Sequence, residues 1–439
     1  MASIHLDPLG SLLSMSKTYT NISYIFALNE NESADLRAFM IQTTLTVGLE
    51  RLAGSFPWIA GQSFYGYIED FDELPLLQMG KRLDLSLNAF LQANWSISLL
   101  DPEVYVPQPP QETPSGKPRV FSGSPSPVFM IKVMLITGAA VLTFSANKGA
   151  LDITGQVTMI RLLSKACRGE AFTEDDVRLA SRNLRINLDF TIEKAPIDSR
   201  LDVRRRLERT DVPIAPSYHE PDPTLTWVYF LANVSSLEAK KTHVQPNSPL
   251  STDDVLTALI WKSITLSRCP DDSTESFLIR AVNVREAFGL PNTYAGMFQY
   301  MAFHKRDARD LMTMPLENLA VYLRDQLAPD TLNPFMRVIA ALTYRVTWES
   351  PTFKYTWPDR DVHVTSWAEM DCYNHDFGLG LGNPINVLRP CLPAIKEGDV
   401  NFMPQTPQGN IMISICLKEQ AMENLKINLL LLEFVRTIE

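Results

Sequence analysis

Two side chains capable of chemistry stand four apart in the stretch LTFSANKGALDITGQ, residues 142–156: Lys148 and Asp152. A β-rich run breaks there into a Gly-containing turn and then opens a helix, a layout that presents a side chain at a strand end. An ordinary lysine titrates near 10.4, so only about one molecule in 2,500 is neutral at pH 7. To act as a base, Lys148 needs burial that disfavours the cation, and a nearby carboxylate opposes that shift. As a cation it donates a strong hydrogen bond to a carbonyl, polarising an enone or stabilising an enolate in a desolvated site. A solvated turn lysine is the third reading. The stretch holds no histidine, so active site, relic and simple turn all stay open.

Other candidates are sparse. The histidines are His5, His219, His243, His304, His363 and His375, and none pair at metal-ligand spacing, so no metal is expected. His363 lies on the strand-like HVTSW segment and is the best alternative base; His375 abuts the motif DFG. The five cysteines are scattered without a C-x-x-C pair, which fits small buried residues in a reducing cytosol. GLGLG (378–382) lacks strand-to-helix phosphate-loop spacing and reads as a turn, and no Gly-x-Ser-x-Gly elbow occurs. RRRLER (204–209) reads as a solvated face more readily than as a phosphate contact.

The surrounding elements must hold the turn. SPVFMIKVMLITGAAVLTFSAN reads as a β-hairpin around TGA, followed after the turn by the helix VTMIRLLSKACRG. An amphipathic helix fills NESADLRAFMIQTTLTVGLERLAGS, with Asn31 or Ser33 as N-cap. The run from Gly169 to about Pro223 is charge-rich, then Pro-rich, and reads as a connection. Beyond it come a strand (TLTWVYFLAN), a helix capped by Ser251 or Thr252 with Asp253 and Asp254 in its first turn, a strand (FLIRAVN) and a helical stretch interrupted by Pro. HVTSW and a final strand–helix pair follow. A chain of 439 residues exceeds one core. The division expected is 1–185, a crossover linker 186–223, and 224–439. The net charge of −10 argues against nucleic acid. No apolar run reaches 18 residues, so the expectation is a cytoplasmic monomer with no membrane contact.

Six segments, in order, resemble the signatures of the BAHD-type acyl-CoA-dependent acyltransferases, most closely the fungal, trichothecene acetyltransferase-like branch. They are LERLAGSFPWIAG, NKGALDITG, LSTDDVLTALIWKS, VNVREAFGLPNTYAGM, TSWAEM and HDFGLGLGNP. The resemblance implies an α/β fold in which two related mixed-sheet domains of chloramphenicol acetyltransferase-like type flank a central tunnel. In that family the second His of an HHxxxDGxG turn is a general base, and the motif Asp pairs with an Arg of the second domain to fix the turn. Mapped here, Asn147 and Lys148 stand at the two His positions, Asp152 is retained, Ile153 replaces Gly, and Arg285 is the retained partner. Asp376, Phe377, Gly378 and Gly380 match the second signature, with Leu379 in place of Trp; Met297 stands where Asn is usual.

The support of the site is therefore kept while its base is replaced. The resemblance implies a secondary-metabolite enzyme acting on a hydrophobic small molecule. With the base lost, the leading expectation is a cyclisation of a polyketide or terpenoid, Diels–Alder-like or a related rearrangement, with Lys148 polarising a carbonyl and no cofactor. The alternatives are an acyl-CoA-dependent O-acyltransferase using Lys148 or another base, with acyl-CoA as co-substrate, and a catalytically silent binding protein.

Overall fold

The computed structural model describes residues 3–7, 9–11, 18–28, 33–64, 66–110, 125–181, 224–244, 250–268, 271, 273–328, 359–378, 380–390 and 396–438. The expected linker 186–223, the RRRLER segment, Leu379 and most of the second helical stretch lie outside these residues.

Strands are numbered along the chain. A small sheet holds β1 (Ile4–His5), β3 (Gln62–Phe64), β4 (Tyr67–Glu69) and β6 (Ser126–Pro127). A five-stranded sheet contains β2 (Tyr19–Ala27), β5 (Leu76–Ser86), β7 (Phe129–Thr137), β8 (Ala139–Asn147) and β13 (Asn386–Leu388), in the order β13-β2-β8-β7-β5. The seven-stranded sheet is built from β9 (Leu225–Asn233), β10 (Glu275–Asn283), β11 (Gln299–Asp307), β12 (Asp361–Ser366), β14 (Asp399–Phe402), β15 (Asn410–Lys418) and β16 (Val435–Ile438). Its order is β11-β10-β12-β14-β15-β9-β16. Both large sheets are mixed: β5–β7 pair in parallel in the first, and β10–β12–β14 in the second. The architecture is thus α/β with two helix-backed mixed sheets.

The hairpin β7–β8 turns at Gly138, whose φ of 78° a glycine adopts without a Cβ penalty. Behind the first sheet, the Ala34–Ser55 and Ile153–Cys167 helices pack on each other and bury one core with β2, β7 and β8. The Thr252–Ser267 helix opens with a capping box, in which Ser251 accepts from the Asp254 backbone and Asp254 accepts from that of Ser251. It covers one face of the second sheet and buries a second core with Val362, Val364, Val400, Phe402, Ile411, Ile413 and Ile415.

Strand alternation then dictates what lies on the other face of that sheet. His363 and Thr365 on β12, Asp399 and Asn401 on β14, and Met412 and Ser414 on β15 all turn away from the second core. Met412 packs with the first core instead, so this face meets the first sheet's domain.

The first sheet also takes a strand from beyond residue 224. β13 pairs with β2, Val387 opposite Tyr24, and so completes the first sheet. Phe377, from the second signature, is buried in the first core and stacks on Phe144 of β8 at 5.8 Å. The reason is complementarity: β2 would otherwise be an open edge, and this late segment covers it.

Candidate functional site

The turn after β8 is held from several sides. Asn147 is fully buried and its Oδ1 accepts the Gly149 N–H at 3.0 Å, closing an Asx turn. The Lys148 N–H donates to the Thr18 carbonyl at 2.9 Å. Gly10 presses on the turn so closely that a Cβ there would lie 2.0 Å from the Gly149 oxygen.

Asp152 does two jobs. It caps the Ile153–Cys167 helix, accepting from Gly155 N–H at 2.9 Å, and it meets Arg285 through two bonds of 2.8 Å each. The Phe298 N–H adds a fourth contact at 2.7 Å. Arg285 is fully buried, and its remaining N–H groups reach the Tyr294 and Gly296 carbonyls and Asn283 Oδ1, so all five guanidinium donors are used. A buried, bidentate pair of this kind fixes geometry; breaking it leaves an uncompensated charge in the interior. The helix begins four residues before Val157, where sequence periodicity starts it. Gly155 is accepted in its first turn because a Cβ there would sit 3.1 Å from the Gly296 oxygen.

Lys148 is half-buried on this turn. Burial, and secondarily the neighbouring Arg389 cation, lower its pKa to about 8. Asp152 does not oppose the shift, because its carboxylate is taken up by Arg285, two backbone N–H groups and the interior. Among the described residues no carboxylate is paired with the Lys148 ammonium. Arg389 lies over the Trp367 ring, 5.4 Å from its centre, and donates to Asn401 Oδ1; Asn401 in turn donates to Ser414 Oγ at 3.2 Å. A polar relay thus joins Ser414 and Asn401 on the inner face of the second sheet to Arg389, the cation that neighbours Lys148. Arg389, Asn401 and Ser414 were not singled out in the sequence: Arg389 belongs to no motif, and only strand register sets Asn401 opposite Ser414.

His363 is on the same inner face. Burial, then Lys396 and Arg268, lower its pKa to about 4, so the imidazole is neutral at pH 7 and a weak base. Its neighbour across the parallel ladder, Asp399, is pushed up to about 6 by burial. His375 is elsewhere: it is buried behind β2, where its Nδ1 and the Tyr24 hydroxyl share a hydrogen bond of 3.2 Å.

Asp376 and Gly378 sit at the far end of the Ile153–Cys167 helix. The Asp376 carbonyl accepts from Arg168, the helix C-cap, and its Oδ1 accepts the Gly378 N–H at 2.8 Å. Gly378 has φ 69°, and a Cβ would stand 3.0 Å from Arg168 Cγ. Fifteen helical residues separate this loop from the Lys148 turn, about 22 Å at 1.5 Å per residue. The structure therefore does not bring Asp376 and Gly378 to the lysine. A further residue, Asp7, accepts from the Tyr294 hydroxyl at 2.9 Å and the Met297 N–H at 3.1 Å, tying the N-terminal segment to the Arg285 loop. No group of three or more metal-ligating side chains occurs among the described residues, and no helix among them is long and apolar enough to cross a membrane.

The sequence and the fold are similar to those of known proteins. A model of the transferase family matches residues 109–431, and one of the trichothecene 3-O-acetyltransferase-like N-terminal domain matches residues 18–167. The chain belongs to the transferase family. The O-acetyltransferase dmxR13 of Cryptosporiopsis sp. is 34% identical, covering 96% of this chain and 95% of its own. The trichothecene 3-O-acetyltransferase TRI101 of Fusarium sporotrichioides is 30% identical, covering 96% and 94%. The crystal structure of Fusarium graminearum TRI101 complexed with coenzyme A and deoxynivalenol superposes with a TM-score of 0.85 at 27% identity, covering 100% of both chains. These relatives are fungal O-acetyltransferases by name. The expectation of a cyclase finds no support among them, and the acyltransferase alternative fits better.

Proposed function

We propose that this enzyme transfers an acyl group from acyl-CoA to a hydroxyl of a hydrophobic secondary metabolite, with Lys148 as general base. The observation that carries the reading is the place of that lysine, on a turn pinned by the buried Asp152–Arg285 pair in a chain of the transferase family. With a pKa of about 8, about one molecule in eleven is neutral at pH 7, against one in thousands for an exposed lysine. That lies close enough to neutrality for proton transfer both ways.

Neutral Lys148 takes the proton of the acceptor hydroxyl as its oxygen attacks the thioester carbonyl. The C–O bond forms, the C–S bond breaks, and the CoA thiolate leaves with the proton carried by the Lys148 ammonium. Burial, aided by the Arg389 cation, keeps a fraction of the lysine neutral. His363, held near 4, is the poorer base. Asp152 and Arg285 position the turn and touch no reacting atom. In this reading the halves 1–185 and 224–439 supply the two walls of the tunnel, with β13 crossing between them. In this reading the enzyme works in the cytoplasm, where its scattered cysteines stay reduced.

Incubation with acetyl-CoA and a panel of hydroxylated polycyclic acceptors, deoxynivalenol among them, tests this. CoA release with formation of an O-acetyl product is expected, falling by about 10²–10⁴-fold in Lys148→Met. CoA release unchanged by that substitution would remove the lysine from the chemistry.

A further inference from the structure

A cleft of about 370 Å³ opens between the turn that follows the Leu87–Gln92 helix and the β15–β9–β16 edge of the second sheet. Its walls include Trp95, Tyr373, Met403, Met412, Asn410 and Arg436. Trp95 has φ 64° and the preceding Asn94 has φ 47°. Asparagine tolerates this region; for a tryptophan it is strained, at a cost of about 1–3 kcal/mol. The backbone is kept there by the bond from Trp95 N–H to the Phe90 carbonyl at 2.8 Å. Strain of this kind persists where the surrounding structure demands a particular side-chain position, and here it places an indole at the mouth of an interdomain cleft.

The chemistry of the walls is selective. The Tyr373 hydroxyl is already spent on Asn386 Oδ1 at 2.9 Å, so the ring is left to make contacts. Together with the indole and two methionine thioethers, it forms a surface suited to a flat π-system. Asn410 and Gln408 offer amides to carbonyl or hydroxyl groups. Arg436 is the one charged side chain among the described residues lining the cleft, and no carboxylate lines it. Met412 is two residues from Ser414 on the same face of β15, about 7 Å along the strand. Ser414 ends the relay that runs through Asn401 and Arg389 towards Lys148.

We propose that this cleft binds a planar aromatic polycycle carrying an anionic oxygen opposite Arg436. The binding itself needs no turnover. Anthraquinone-2-carboxylate and its uncharged methyl ester are suitable probes, titrated by calorimetry without acyl-CoA. Wild type should bind both, the acid more tightly. Arg436→Gln should weaken the acid about tenfold and the ester less than about twofold. Met412→Trp, or Ile385→Trp on the exposed rim where the buried change unfolds the chain, should weaken both by at least about tenfold by filling the cleft. Lys148→Met should leave both within about twofold. Absence of probe binding in wild type, equal loss of acid and ester in Arg436→Gln, or unchanged binding in a filled variant that melts like wild type would each overturn the assignment. Acetyl transfer without probe binding removes the cleft and keeps the acyltransferase; probe binding without acetyl transfer does the reverse.

Discussion

Lys148 should titrate apart from every surface lysine, and its removal should stabilise the protein. Burial and Arg389 bring its pKa from 10.5 to about 8. At about 1.4 kcal/mol per tenfold, the native state disfavours the ammonium by on the order of 3 kcal/mol. The sign follows from linkage. Below pH 8 the lysine is protonated in both folded and unfolded chains, so the folded protein bears the full cost of the buried cation. Between 8 and 10.5 the unfolded chain binds the extra proton, so stability rises with pH and the cost fades. Lys148→Met, which keeps the aliphatic stem, should therefore raise the urea midpoint most at pH 6–7, and the advantage over wild type should vanish towards pH 10. Carbon-13 NMR of reductively methylated lysines, assigned with Lys148→Arg, should show one resonance with a midpoint near 8. In Arg389→Gln that midpoint should rise without reaching 10.5, because burial, the larger cause, remains. A Lys148 signal titrating with the surface lysines, or a Lys148→Met variant less stable than wild type at pH 7, would refute the reasoning.

The same pKa should appear in turnover: kcat/KM should climb with pH to a plateau above about 8, and Lys148→His should move that limb towards the ordinary imidazole range of about 6.5. His363→Asn should leave the limb at about 8 in a pH–rate series, since its imidazole is already neutral; a moved limb would shift the base role to His363. Asp152→Asn keeps a capping oxygen but strands the Arg285 charge, and should cost about 3–5 kcal/mol in urea unfolding. Arg285→Met should cost as much, and the double variant clearly less than the sum. Gly10→Ala puts a methyl against the Gly149 oxygen and should lower stability by about 1–3 kcal/mol, read from the unfolding midpoint, and lower kcat with it.

Local chemistry was legible in the sequence, and long-range geometry was less so. The β7–β8 hairpin and the start of the Thr252–Ser267 helix, with Ser251 as one of two candidate N-caps, were readable because a turn glycine and an N-cap act within a few residues. The pairing of Asp152 with Arg285 came from a family resemblance; nothing local announces it. That Asp152 also caps a helix was obscured by Gly155, which looks like a helix breaker until its packing against Gly296 is seen. Arg389, the charge that tunes Lys148, is 241 positions away (389 − 148) and in no recognisable motif. His375 looked like a neighbour of a signature and proved to be a core partner of Tyr24. Asn401 and Ser414 meet through the β14–β15 register, and Arg389 reaches Asn401 from just past β13 of the other sheet; alternation within one strand can supply neither.

The return of β13 to the first sheet has a consequence for synthesis. Residues 386–388 pair with 23–25, so the opening third of the chain leaves the ribosome with β2 unsealed and the place of Phe377 unfilled. The nascent chain must keep that edge and apolar gap from other partners until some 200 further residues have emerged, at about 5–20 residues per second. The two halves are therefore clasped together, and neither is a finished folding unit until the last hundred residues arrive.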